Sequence, residues 1–394
     1  MLTFRSGGPN TPPALTTIRL GITETFQRLP VPNSESSRHP SGIPSATRHS
    51  GVKIMAEKQR PTGKPRPTLK TIAYITGLGV TTVSRALSDA PDISKATKAR
   101  VRTVAREIGY RPNRAGVRLR TGKTNVISFI LNMKRDKLGT TTHLMQGLTH
   151  GLAGTAYHLI VTPAPADAED LSAVQYVVET GSADGIILSD IEPQDIRAAY
   201  LQERGFPFVT HGRPGLAAPA PYVDFDNHAF ATHAAERLRS LGRSRLALIQ
   251  PPAHYAYAQH MLEGFRAVVD AHDLIEVPLR DISSESPRLD VINEIARILA
   301  SRHRPDGIVA STVMSCLAAT AAIEAAGLRI GTDIDIVAKE PLELLRLFRP
   351  EIHVMHEDLF RAGADMARAM LVHLDDSTDE IPEILHQPSG FDGD

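Results

Sequence analysis

The side chains best suited to chemistry lie close together at Thr81, Thr82, Ser84 and Arg85, inside the run TLKTIAYITGLGVTTVSRAL that spans residues 68–87. Short hydroxyls and a guanidinium are the groups that reach phosphate oxygens and base edges. Two helices and a tight turn must present them. Ile72, Ala73 and Ile75 give the first helix an apolar face. Gly77 falls where the chain must turn, and glycine takes φ > 0 there without strain. Val80, Val83 and Leu87 then recur at helical spacing, leaving the four polar residues for the other face. This is the local shape of a unit that lays a helix in a DNA groove. Taken alone, the run also fits an ordinary helical hairpin in a core.

The charge distribution favours the groove. Residues 56–123 hold 16 Lys and Arg against 4 Asp and Glu, whereas residues 124–394 hold 22 against 38. The whole chain is formally neutral. A basic module joined to an acidic body suits nucleic-acid binding by the module and solubility for the rest. A length of 394 residues leaves room for two or three domains. The one cysteine, Cys316, sits in the apolar run CLAATAAIEAAG and reads as a small buried hydrophobe. No zinc spacing occurs, no apolar run reaches the length of a membrane span, and the start lacks a signal peptide's apolar core. A reducing, cytoplasmic setting follows. The first 54 residues are rich in Pro, Ser, Thr and Arg, without lasting periodicity, and their composition predicts disorder. Met55 opens the basic lead-in AEKQRPTGKPRP and is the expected translation start.

Beyond Leu87, Ser94 is a good N-cap for a helix over Lys95 to Ile108. Val101, Val104, Ala105 and Ile108 form its stripe, enough to close a small three-helix core. Gly109 ends it, and Pro112 prevents continuation. NRAGVRLR follows, with Val117 and Leu119 among three arginines, too short for a stable isolated helix.

The combined pattern of TLKTIAYITGLGVTTVSRAL, GYRPNRAGVRL and the spacing between them resembles the DNA-binding headpiece of the LacI/GalR family of regulators, over roughly Thr68 to Lys123. The resemblance implies a three-helix headpiece followed by a hinge helix. The hinge orders when two subunits meet on the operator, and an apolar side chain wedges into the minor groove. Carried over by position, Val80 and Thr81 lie at the start of the recognition helix, where base contacts are made. Arg85 lies one turn on, and Thr68, Thr82 and Ser84 match phosphate-contacting or helix-anchoring positions. Asn113 opens the hinge, and Leu119 matches the wedge. Two residues depart from the family. Gly79 replaces a capping Ser, at a few tenths of a kcal/mol. Gly116 replaces a hinge Ala, at about 1 kcal/mol of helix stability, so Gly116→Ala is expected to tighten operator binding.

From Thr124 the pattern alternates. NVISFIL, YHLIVT, DGIILS, FPFVTH, RLALIQ, DGIVAS and IDIVAK read as strands. Helices are expected over His143–Ala153, Ala168–Glu179, Gln194–Glu203, Phe230–Leu241, Met261–Asp270, Leu289–Leu299 and Ala318–Ala326. Such βα repetition predicts parallel sheets covered by helices, in two lobes with a cleft at the strands' carboxyl ends. The expected fold is α/β: a small all-α helix-turn-helix headpiece plus a two-lobed, periplasmic-binding-protein-like effector domain with parallel sheets. The expected boundaries are an N-terminal extension over 1–66, headpiece over 67–112, hinge and linker over 113–123, effector-binding and dimerisation domain over 124–374, and an acidic tail over 375–394.

The body resembles the family's effector domain more in layout than in residues. GRPG and VDFDN sit where the family has cleft and crossover segments, and HMLEGF, GLRIGTDIDIVAKE and HEDLFRAG match later landmarks. The family's effector-gripping Arg is Met261 here, beside His260. The usual acid is absent from ASTVMS, and Glu340 stands for the Asp after the late strand. The cleft candidates are Arg213, Asp226, Tyr257, His260, Glu340 and Glu357. His211 reads as structural. No nucleophile elbow, P-loop or dinucleotide fingerprint is present, so nothing supports catalysis.

The expected protein is a homodimeric transcription regulator, a repressor, that binds double-stranded operator DNA and a small-molecule effector such as a carbohydrate. It needs no cofactor, metal or membrane. A transporter's solute-binding protein would share the body but lack the basic headpiece. An architectural DNA-binding protein would show little sequence preference. The acidic, two-proline tail carries no leucine heptads and points to a dimer rather than a coiled-coil tetramer.

Overall fold

The computed structural model describes residues 67–111, 122–132, 140–164, 171–375 and 377–391. Three helices come first: α1 (Leu69–Thr76), α2 (Val80–Leu87) and α3 (Lys95–Glu107). Each start has a local cause. Thr68 caps α1, accepting from the Thr71 amide while Thr71 Oγ1 accepts from the Thr68 amide at 3.1 Å. Ser94 caps α3 by accepting from the Thr97 amide at 3.2 Å. Gly79 caps α2 with backbone alone. Between α1 and α2, Gly77 lies at φ 66°, the left-handed conformation that ends a helix cheaply in glycine.

The three helices close on Ile72, Ala73, Val83, Ala86, Val101 and Ala105. Ile75 is not among them and stands 48% exposed. Successive residues turn by 100°, so Ile72, Ala73 and Thr76 fall within one narrow stripe and Ile75 lies outside it. Thr76 is buried in its place, its hydroxyl donating to the Ile72 carbonyl at 2.7 Å.

The body follows as β1 (Val126–Asn132), α4 (Thr140–Gly151), β2 (His158–Ala164), α5 (Ser172–Thr180), β3 (Gly185–Leu188), α6 (Ile196–Glu203), β4 (Phe208–His211) and β5 (Tyr222–Phe225). The chain continues with α7 (Asn227–Ser240), β6 (Arg245–Ile249), α8 (Ala256–Ala271), β7 (Ile275–Glu276), α9 (Arg288–Leu299), β8 (Gly307–Ala310), α10 (Val313–Ala325), β9 (Asp335–Glu340), α11 (Leu345–Phe348) and β10 (His353–His356). It ends with α12 (Leu359–His373) and β11 (Glu383–His386). One sheet has the order β11-β5-β4-β3-β1-β2 and the other β10-β9-β8-β6-β7. Among the described residues every strand pairing is parallel. Helices cover both faces of each sheet, and each lobe carries two apolar clusters, one on either side.

The chain crosses between lobes at β5 to α7, at β10 to α12, and after β11, where Phe391 packs against the second lobe's core. The C-terminal stretch is therefore part of the body. Residues 383–386 pair with Tyr222–Phe225 at the edge of the first sheet, so the effector domain does not stop at 374. The strand escaped the periodicity argument because an edge strand with one wet face needs only two or three apolar residues. Gly147 and Gly363 bring α4 and α12 close enough for backbones to touch, and a Cβ on Gly147 would lie 2.9 Å from the Ala364 amide nitrogen. Among the described residues no helix is long and apolar enough to cross a membrane.

Candidate functional site

Two regions of the fold could do the work, the outer face of α2 and the crevice between the lobes. On α2, Val83 and Ala86 point into the three-helix core, which leaves Val80, Thr81 and Arg85 exposed and Thr82 and Ser84 half-buried. Val80, expected both in the core stripe and at the groove, is 41% exposed and lies on the outer face of α2 rather than in the core. Arg85 pairs with Asp92 at 2.7 Å, both about half exposed. A surface pair of this kind holds at most about 1 kcal/mol, so the guanidinium is available to a phosphate. Thr68 is committed to its capping box, which is the anchoring role rather than a reach outward. Asn113, Gly116 and Leu119 lie outside the described residues.

The crevice holds a cavity of about 380 Å³. Its walls are the carboxyl ends of strands from both sheets, where parallel α/β folds place ligands. Strand geometry explains which side chains arrive there. In β5, Val223 and Phe225 turn into the lobe cores while Asp224 turns the opposite way and lines the cavity. Lys339, near the end of the apolar strand β9, does the same. Its ammonium donates to Asn227 Oδ1 at 2.9 Å and pairs with Glu357 Oε2 at 2.7 Å. It also lies 4.9 Å from the centre of the Phe225 ring and 5.8 Å from that of Tyr257. Tyr257 in turn stacks on Tyr255 with ring centres 5.4 Å apart.

Two serine hydroxyls of the second lobe, the lobe that carries Lys339, add to the lining. Ser311, the first residue beyond β8, and Ser284 line the cavity and are 3% and 8% exposed. Neither hydroxyl has a hydrogen-bond partner among the described residues. A buried hydroxyl without a partner is costly, so these two oxygens are set to be completed from the cavity side.

The expected cleft residues separate into three groups. Tyr257 and Glu357 line the cavity. Arg213 and His260 do not line it but stand behind Asp224. Arg213 Nε donates to Asp224 Oδ2 at 2.8 Å, and its Nη2 lies 3.0 Å from His260 Nδ1. Asp226 and Glu340 are structural. Asp226 caps α7, accepting from the Ala229 amide at 2.9 Å and from Gln387 Nε2 at 3.2 Å. Glu340 is fully buried and accepts from the Leu344 and Leu345 amides at 2.9 and 3.1 Å, so its charge is spent on the turn into α11. Met261 is a core residue of the second lobe. His211, read as structural, lines the cavity.

Sequence reasoning missed Asp224, Lys339, Ser284 and Ser311. Period-2 alternation in VDFD and a charge closing IDIVAK could have marked the first two, and Ser311 directly follows a strand. Ser284 sits in an irregular loop with no local signal. Burial pushes the Asp224 carboxyl up to about 6, against the pull of Arg213. Burial and the Arg213 charge hold the His260 imidazole below its usual range. Among the described residues no group of three His, Cys, Asp or Glu side chains could hold a metal ion.

Comparison with known proteins accounts for both regions. Residues 68–113 match the family "Bacterial regulatory proteins, lacI family", and residues 235–391 match "Periplasmic binding protein-like domain". The HTH-type transcriptional regulator AglR of Rhizobium meliloti is 32% identical over 315 residues, covering 77% of this chain and 86% of that protein. Among solved structures, the lac repressor dimer bound to operator and the anti-inducer ONPF superposes with a TM-score of 0.70 at 19% identity, covering 82% of this chain and 97% of that one. The transcriptional regulator CelR–cellobiose complex superposes at 0.60 and 23% identity, over 82% and 98%. These two likenesses are of fold. With a helix-turn-helix headpiece, a two-lobed body and a relative matched over most of its length, this chain belongs to the lacI family of bacterial regulatory proteins, the DNA-binding regulators of transcription.

Proposed function

We propose that the chain is a homodimeric repressor whose cavity takes an uncharged saccharide of about two sugar rings. The observation that carries the effector reading is the pair of buried, uncompleted hydroxyls of Ser284 and Ser311, which a polyol can satisfy on both the donor and acceptor side. The cavity's size is that of a small-molecule site. Its charge favours a neutral occupant: Asp190, Asp224, Glu285 and Glu357 line it against Lys339 and Arg288, an excess of acid that repels phosphorylated or acidic sugars. Tyr257 offers an apolar ring face. That a structural neighbour is a cellobiose complex agrees with this class. The effector shifts regulation by binding one lobe arrangement better than another. The chain acts by binding, without a catalytic step.

On DNA, Val80 and Thr81 read base edges, while Thr82, Ser84 and Arg85 contact phosphates, and Thr68 holds the first helix in place. The resemblance assigns hinge roles to Asn113 and Leu119. The dimer is supported by an apolar stripe on the second lobe. Met314, Leu317 and Ala321 are exposed along one face of α10, and Leu347 and Phe348 on α11 are 76% and 64% exposed. Arg349, at the end of α11, pairs at 2.7 Å with Glu324 on the same α10 face, so the two patches adjoin. A second copy of this chain covers such a patch symmetrically.

Calorimetric titration with cellobiose and other neutral disaccharides against glucose 6-phosphate tests the effector class. Neutral sugars are expected to bind, and Ser311→Ala and Ser284→Ala each to weaken binding about 5-fold. Binding of the phosphate ester alone would end the reading. Footprinting on genomic fragments at ~150 mM salt is expected to yield a pseudo-palindromic site. Sedimentation is expected to give a dimer that Phe348→Asp converts to monomer, and a tetrameric mass would overturn it.

A further inference from the structure

Arg213 bridges the two lobes, and neither its sequence nor its exposure marks it for that task. It leaves β4 in the first lobe, where its Nε donates to Asp224, a cavity-lining residue of the same lobe, at 2.8 Å. Its Nη2 reaches His260 Nδ1 on α8, in the second lobe, at 3.0 Å. Beside it, the Ala256 amide at the start of α8 donates to the Ile191 carbonyl in the first lobe at 3.0 Å. This edge of the crevice is therefore closed by one backbone bond and one side-chain bond.

The chemistry of the side-chain bond is one-directional. A guanidinium only donates, so His260 Nδ1 must accept through its lone pair, which exists only while that nitrogen is unprotonated. We propose that Arg213 is a positioning residue that ties the cavity carboxylate of Asp224 to the second lobe through His260, and that protonation of His260 releases the tie. A proton on Nδ1 removes the acceptor and sets a second positive charge against Arg213. The release acts on whatever molecule fills the cavity, because it moves one wall relative to the other.

The groups around His260 fix the direction of the effect. Arg213 from the loop after β4 and His228 from α7 oppose its protonation, while Glu263 from α8 and Asp226 from the crossover favour it. Burial opposes it most, and the imidazole titrates below its ordinary range. The tied arrangement binds fewer protons at His260 than the released one. It is fully favoured above the ordinary imidazole range near 6.5 and is lost progressively as pH falls below it. Asp224, pushed up to about 6 by burial, titrates in the same pH range and keeps its buried place in both arrangements, so its own proton uptake favours neither. The two groups titrate close together, so the release must be assigned by variants rather than by the pH profile alone.

Spin labels at Glu203→Cys in α6 and Asp270→Cys in α8, both exposed, report the lobe separation. The native Cys316 is fully buried and stays unlabelled. Labelled full-length chain is diluted into unlabelled chain, and distances are read by pulsed dipolar spectroscopy from pH 8 to pH 5, over the range where far-ultraviolet circular dichroism is constant. At pH 8 one distance is expected, with a second, longer population growing below pH 6.5. His260→Gln keeps an acceptor oxygen and cannot titrate, so it is expected to hold the pH 8 distance throughout. His260→Arg is expected to show the longer population already at pH 8. An unchanged distribution in the parent, or a pH response in His260→Gln equal to the parent's, overturns the proposal.

Discussion

Replacing Lys339 by Met should separate the stability of the body from its recognition chemistry. Met keeps the length and most of the packing of the lysine stem and removes the ammonium. In the native chain that ammonium is 2.7 Å from Glu357 and 2.9 Å from Asn227, with the two charged side chains only 9% and 16% exposed. Breaking a buried pair costs about 3–5 kcal/mol, because the remaining charge stays buried. Both groups face the cavity, and water reaching it lowers the figure to about 2–4 kcal/mol. For a body of this size each kcal/mol moves the melting midpoint by about 2–4 °C, so a fall of roughly 4–16 °C is expected. Lys339→Met with Glu357→Gln removes both charges and should recover most of that loss. Differential scanning fluorimetry of the native chain, the Lys339→Met and Glu357→Gln single variants and the double variant gives the coupling directly. A loss below about 1 kcal/mol in Lys339→Met, or a double variant no more stable than the single one, would refute the claim that burial governs this pair.

Three further outcomes follow from local geometry. Gly79 has φ −65° and ψ 147°, close to the capping Ser94, and an added Cβ would meet only Thr82 Oγ1 at an ordinary 3.7 Å. Gly79→Ser should therefore stabilise the headpiece by about 0.3–0.5 kcal/mol, seen as slower hydrogen exchange in α2. Gly147→Ala should destabilise the first lobe by about 1–2 kcal/mol in urea, because its Cβ would press on the α12 backbone at Phe360 and Ala364, outweighing the gain in helix propensity. The Cys316 thiol, pushed up to about 12 by complete burial, stays protonated through pH 9. It should resist maleimide in the native chain and react with one equivalent once urea unfolds it.

Local patterns in the chain already specified the headpiece helices, their caps, the glycine turn and the two alternating βα sets. Capping, turn chemistry and periodicity act between residues a few positions apart, so they are written in the order of the letters. The same holds for the basic module and for the burial of Cys316, which needed only its apolar neighbours. What faces the cavity was decided elsewhere. Asp226 and Asp224 are two residues apart on one short segment, yet one caps a helix and the other lines the cavity, because β5, paired with β4 and β11, ends at Phe225 and leaves Asp226 outside the strand at the start of α7. Glu340 and Lys339 are adjacent, and the pleat sends one into the turn toward α11 and the other to Glu357. The edge strand from the acidic tail, the touching backbones of α4 and α12, and the contact of Arg213 with His260 join residues 161, 216 and 47 positions apart. Such pairings depend on how sheets and lobes assemble. No local propensity encodes them, so only the tertiary structure selects which polar residues meet the ligand and which hold the frame.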